Sequence, residues 1–220
     1  MLRRLIFPLL LGLAGCGILI GLGVWQVNRL GEKQAQLAEI ESRIAAPPGP
    51  LPAVGQATPY QPVRVEGALG PERLRVLVSR KQIGAGHRII AALTTPEGRR
   101  VLVDLGFVRD GDPLPAVAGP VTVTGNLHNP AEVDGYTPAP DLARNLWFAR
   151  DVPQMAVVLN TEETLIVART PVVPGIEPLP VDTAGIPNDH LQYAITWFLL
   201  AAVWAAMTGL LVVRIARPRP

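Results

Sequence analysis

The chain has 220 residues, 49% of them hydrophobic and only 17% charged, with a positive mean hydropathy of +0.28. That length holds one domain or two small ones, and 23 prolines with 21 glycines exclude an all-helical bundle. One cysteine, Cys16, excludes a disulfide scaffold and a cysteine-rich zinc or iron–sulfur site, and the net charge of +2 is too small and too dispersed for a nucleic-acid footprint.

Residues 5–27 are 23 consecutive positions without a charge, and residues 191–213 are 23 more. A helix needs roughly 20 apolar residues to cross the hydrocarbon core, so the pattern predicts a transmembrane helix at each place. Arg3 and Arg4 precede the first run, Arg214, Arg217 and Arg219 follow the second, and every Asp and Glu lies between Glu32 and Asp189. The positive-inside rule then puts both termini in the cytoplasm and residues 28–190 on the far side. Without those five arginines the chain carries 15 basic against 18 acidic residues, a net charge of −3. Leu13-Ala14-Gly15-Cys16 matches a bacterial lipobox by pattern, but the apolar run continues past Cys16 and is too long for a signal peptide. Cys16 is therefore expected to be a small packing residue. No Arg- and Ser-rich presequence leads the first run, and 18 arginines against 2 lysines suit a GC-rich bacterial source.

Residues 28–61 read as a juxtamembrane helix, with Leu30, Leu37, Ile40 and Ile44 at helical spacing and Gly31 weakening the junction, followed by a proline-rich linker from Pro47. Residues 62–187 change to period two. Candidate strands are 63–67, 74–80, 88–93, 100–105, 121–127, 157–159 and 164–168, separated by turns at Gly84-Ala85-Gly86, Pro96-Glu97-Gly98 and Asp110-Gly111-Asp112. One short helix is predicted at 151–156, capped by Asp151. The short spacings leave no room for βαβ crossovers, so the expected fold is membrane α+β: two terminal spans flanking an antiparallel β-rich extracytoplasmic domain with short helices.

No hydrolase elbow, phosphate loop, dinucleotide fingerprint or His-x-x-x-His occurs, so no catalytic residue and no dedicated metal site is predicted. Glu162-Glu163 and Asp110/Asp112 read as solvated turn residues, and His87 and His128 as surface or turn histidines. His190 differs. Pro187-Asn188-Asp189 makes a helix start, which puts His190 in the first turn at the outer mouth of the second span. Tyr193, Ala194, Trp197, Ala201 and Trp204 follow on one face. One reading is an interfacial histidine above an aromatic belt, with Trp25 as its counterpart on the first span. The other is an imidazole ligand over a groove for a flat apolar ring such as haem. Gly17 with Gly21, and Ala201 with Ala205 and Gly209, form small-residue rows suited to close helix contact, with each other or with a partner membrane protein.

Four blocks resemble one family. Leu22-Gly23-Val24-Trp25-Gln26-Val27-Asn28-Arg29 is similar to the first signature of the surfeit locus protein one family, the cytochrome c oxidase assembly factors, here in bacterial form. Residues 98–108 resemble its central strand motif, 143–156 another block, and 188–198, which contain His190, the terminal block. Leu105 stands where the central motif often has arginine, and Glu32 where an aromatic often precedes Lys33. The resemblance implies a non-enzymatic assembly factor of the bacterial inner membrane for aa3-type oxidase, with a periplasmic central domain. It further implies transient binding of haem a, with His190 as iron ligand and assistance in placing the haem into oxidase subunit I. Tyr193, Trp197, Trp25 and Arg29 are then candidate haem contacts. The partners expected are membrane lipid, oxidase subunit I and the haem a synthesis machinery. A scaffold that holds an oxidase subunit or another envelope protein without haem is the alternative.

Overall fold

A computed structural model describes residues 2–80, 83–116 and 118–217, the side chains of Leu2 and Arg3 excepted. Arg219, one of the five arginines in the topology reading, lies outside the described residues. The chain divides into two compact units, one made of residues up to Glu39 and from Ala184 onward, the other of Ile40–Thr183.

Helix α1 (Leu2–Ala45) is continuous for 44 residues, about 66 Å at 1.5 Å per residue, and passes Gly31 without a break. The final helix, α3 (His190–Ala216), has 27 residues. Both are long and apolar enough to cross a membrane. Prolines 47 and 48 stop α1, and the segment beyond them is tied down: Gly49 N–H donates to Pro62 O and Arg64 N–H to Gly49 O. A helix end leaves carbonyls without partners. The buried Asn126 side chain supplies one, its Nδ2 donating to Ile44 O at 3.2 Å and to Tyr60 O at 2.8 Å, while its Oδ1 accepts from Arg169 Nε at 2.7 Å.

Between the helices lie β1 (Pro62–Arg80), β2 (Gly84–Thr94), β3 (Arg100–Arg109), β4 (Gly119–His128), β5 (Leu146–Trp147), α2 (Val152–Leu159) and β6 (Leu165–Ala168). The two expected strands at 63–67 and 74–80 are one 19-residue strand with a bulge between Leu69 and Arg73. Its first half pairs with β4 and its second with β2. The pairings β1–β2–β3–β6–β4–β1 therefore close into a ring, a small five-stranded barrel without free edges along those pairs. The sheet is mixed, which corrects the antiparallel expectation: β6 runs parallel to β3, and β5 parallel to β1. Parallel neighbours need a crossover of a dozen or more residues. Here it is supplied by β4, the 129–145 segment and α2 together, a route invisible when only adjacent hairpins are counted.

Side chains alternate between two cores. Val63, Val65, Ile89, Leu93, Val101 and Val103 belong to one. Leu74, Val76, Ile90, Leu102 and Trp147 form the other, covered by Met155 and Leu159 of α2. Strand β3 is consequently buried on both faces from Val101 to Val108, which is why its sequence is a nearly unbroken apolar run. The expected strand at 157–159 is instead the last turn of α2. Asp151 Oδ1 accepts from Gln154 N–H at 3.1 Å at its start, and Asn160 in the left-handed region ends it, with N–H bonds back to Ala156 and Val157 carbonyls. Gly84-Ala85-Gly86 is likewise the start of β2 rather than a turn. Gly86 is required by close approach: a Cβ there would collide with the Phe107 ring and Val108 O.

A buried charge cluster joins these strands. Asp104 on β3 is fully buried, and its Oδ2 accepts from Arg88 Nη1 at 2.7 Å and Arg150 Nη1 at 3.2 Å. Its Oδ1 accepts from Gly106 N–H at 3.1 Å. Arg150 is held from the other side by Glu132, at 3.0 Å through Nε and 2.5 Å through Nη2. β2, β3 and the 129–151 segment therefore share one network. Breaking a buried pair from one side strands the remaining charges. Asp104→Ala is expected to lower the stability of the full chain in detergent by about 3–5 kcal/mol, read from denaturant unfolding followed by near-UV circular dichroism. An unchanged midpoint contradicts this.

Candidate functional site

In the first unit α1 and α3 pack antiparallel through a seam of glycines on α1. Gly12 lies against Thr208 and Gly15 against Trp204. Gly23 lies against Phe198, where an added Cβ would come 2.6 Å from the ring. Cys16 sits half-buried in the same seam with Sγ 3.9 Å from Ala201 O, as a packing residue would. The seam row 12, 16, 19, 23, 26 and 30 steps by three and four, the spacing of a helix stripe facing a neighbour. The small-residue rows of the sequence reading are only partly in it. Ala201 is buried, but Gly17, Gly21 and Gly209 meet nothing within 4 Å. The bulky Trp204 and Phe198 decide which glycines face α3, and spacing among glycines alone does not contain that information.

At the end of this seam two polar side chains meet each other across it. Gln26 is 8% exposed, and its Oε1 lies 2.8 Å from His190 Nδ1. His190 is the first residue of α3, as expected, but Asp189 makes no side-chain cap bond and does not hold the imidazole. With an amide oxygen facing Nδ1, only a protonated Nδ1 completes the hydrogen bond. Nε2 then keeps its lone pair and makes no hydrogen bond among the described residues. Close by in sequence, Asn188 Oδ1 is buried and also lacks a hydrogen-bond partner. The imidazole is thus held by one nitrogen and leaves the other without a bond among the described residues.

The remaining candidates surround this pair unevenly. Trp197 is half-buried, whereas Tyr193 and Trp25 are 55% and 53% exposed. No ring pair forms among them; among the described residues the aromatic contact is between Tyr60 and His128, centroids 5.8 Å apart. Arg29 is exposed and engages Glu32 at 2.6 Å. Gln26 is the functional residue that site reasoning overlooked. It stood within the first family signature, but a partner 164 positions away leaves no trace in local pattern.

Elsewhere, His87 lies within β2 rather than in a turn, opposite Leu77 and Val108. Burial, with the Arg75 charge, lowers its pKa. Glu162 corrects the reading as a solvated turn acid: both its oxygens accept from Arg99, at 3.0 Å each. No group of three or more His, Cys, Asp or Glu suited to a metal ion occurs among the described residues.

His128 ends β4, half-buried against Tyr60, and burial with the Arg150 charge drives its pKa down to about 4, against a weaker opposite pull from Glu132. The unfolded chain takes up this proton near pH 6.5, whereas the folded chain resists until about pH 4. The associated stability is therefore present above pH 6.5 and is lost as pH falls towards 4. Discounted for partial exposure it amounts to roughly 1–2 kcal/mol. His128→Gln is expected to flatten the fall in melting temperature between pH 6.5 and 4, and an unaltered slope contradicts the assignment.

A closed five-stranded barrel as one unit, and as the other two long apolar helices with a histidine–glutamine pair in their seam, define the class of protein. Residues 13–202 match the model of the SURF1 family, and the chain belongs to that family. It is 29% identical over 198 residues to a SURF1-like protein of Rickettsia bellii, covering 84% of this chain and 82% of that one. Similarity to surfeit locus protein 1 of Homo sapiens is 30% over 210 residues, with 83% and 70% coverage. For the Xenopus tropicalis protein of the same name it is 32% over 209 residues, with 82% and 68%.

Proposed function

We propose that the chain is an assembly factor for aa3-type cytochrome c oxidase that carries haem a on His190 and assists its insertion into subunit I. The observation that carries the reading is the His190–Gln26 pair, which leaves Nε2 uncommitted at the mouth of the helix seam. Family membership supplies the oxidase. The haem is cargo, and its iron offers a coordination site to an imidazole nitrogen. The chain's own residues do the rest. Gln26 fixes the ring of His190, and exposed Tyr193 and Trp25 offer flat apolar faces of the kind a macrocycle stacks on. Half-buried Trp197 stands one turn below Tyr193 on the same helix. Arg29, already in an exposed pair with Glu32, has guanidinium nitrogens to offer a propionate. One protein ligand suits a carrier, since delivery requires a bond that breaks.

In this reading α1 and α3 span the bacterial inner membrane, with Arg4, Arg214 and Arg217 on the cytoplasmic side and the acidic barrel in the periplasm. Its partners are lipid, oxidase subunit I and the machinery that makes haem a. No nucleic acid is among them. A scaffold without haem is the second reading. It is favoured by the face of α1 bearing Gly17 and Gly21, which meets nothing and has the small residues that let another membrane helix approach.

The test is the haem a content of detergent-purified His190→Ala from cells that make haem a. Loss of most of the bound haem, with protein yield and barrel unfolding unchanged, supports the carrier. Wild-type haem content and spectrum in the variant would remove the ligand role and leave the scaffold.

A further inference from the structure

His190 Nδ1 meets the side-chain amide of Gln26, buried at 8% exposure on the opposite helix. A buried amide in an apolar seam loses hydration, a cost that the bond of its oxygen to His190 offsets. The seam presses the two groups together: Gly23, one turn before Gln26, admits Phe198, two turns after His190.

We infer that Gln26 is a positioning residue that sets both the tautomer and the strength of His190 as a ligand. The inference rests on the carrier reading above. Two consequences follow from the chemistry of the acceptor. With Nδ1–H donated to the Gln26 oxygen, the lone pair is confined to Nε2, the nitrogen with no other partner, so no tautomer shift precedes binding. An amide is also neutral. A carboxylate in its place pulls the Nδ1 proton more strongly and makes the imidazole a more basic ligand. Glutamine therefore orients the ring while keeping the iron–nitrogen bond weak enough to release.

The test uses the full chain in detergent with added ferrous haem a as probe. Readouts are affinity, the iron–imidazole stretching frequency, and the rate of haem transfer to excess apomyoglobin. His190→Ala is the control for the underlying reading: if it binds with the wild-type spectrum, His190 is not the ligand, whatever Gln26 does. Given loss in that control, Gln26→Leu is expected to weaken binding by about 10- to 100-fold. Gln26→Glu is expected to raise the stretching frequency and slow the transfer. A merely structural role for Gln26 moves neither of the last two. Wild-type affinity in Gln26→Leu together with wild-type stretch and transfer rate in Gln26→Glu would overturn the inference. Should the leucine variant unfold by circular dichroism, the glutamate variant alone decides, by the same two readouts.

Discussion

One hydrogen bond, between the Gln26 and His190 side chains, joins the two helices of the first unit at the end of a seam made otherwise by close packing. Packing fixes how close α1 and α3 come, through Gly12, Gly15 and Gly23. Those seats also favour one register of α3 along α1, and the 2.8 Å bond between Gln26 and His190 reinforces it, since sliding by one residue separates the pair. The same bond, with the amide oxygen as acceptor, favours the ring tautomer protonated at Nδ1.

The second unit solves a different problem. Three arginines and three acids are drawn into its interior and rim through the Asp104 and Arg99 clusters. Closing the ring through β6 hides the strand edges, and the apolar run of β3 serves two cores at once. Asn126 satisfies one of the last carbonyls of α1, that of Ile44, from within the same unit. The barrel is thus a folded body with its own polar constraints.

Much of this was legible in the residues. Two uncharged runs gave both long helices, because burying a backbone in lipid requires some 20 apolar positions and leaves a plain trace. Period two located most strands to within a few residues. It failed where pattern carries no partner information: alternation tells which side chains face inward, but not that β6 lies parallel beside β3, nor that a two-residue β5 exists. Residues 157–159 read as a strand because three apolar residues fit either state, and only the Asn160 cap decides. Gly84 and Gly86 read as turn formers, although Gly86 is there to clear Phe107. The seam glycines were misjudged for a related cause, since the bulky partner, rather than the spacing, selects the face. The place of His190 at the start of α3 was legible; the identity of its partner was not, because nothing local ties position 26 to position 190.

The most direct measurement is nitrogen NMR of the haem-free protein with histidine labelled at both ring nitrogens, assigned through a His190→Ala comparison. The account predicts a single tautomer for His190 near neutral pH, protonated at Nδ1 with a bare Nε2, and a switch to mixed tautomers in Gln26→Leu. A ring protonated at Nε2 in the wild type, or an even mixture indifferent to Gln26, would contradict it.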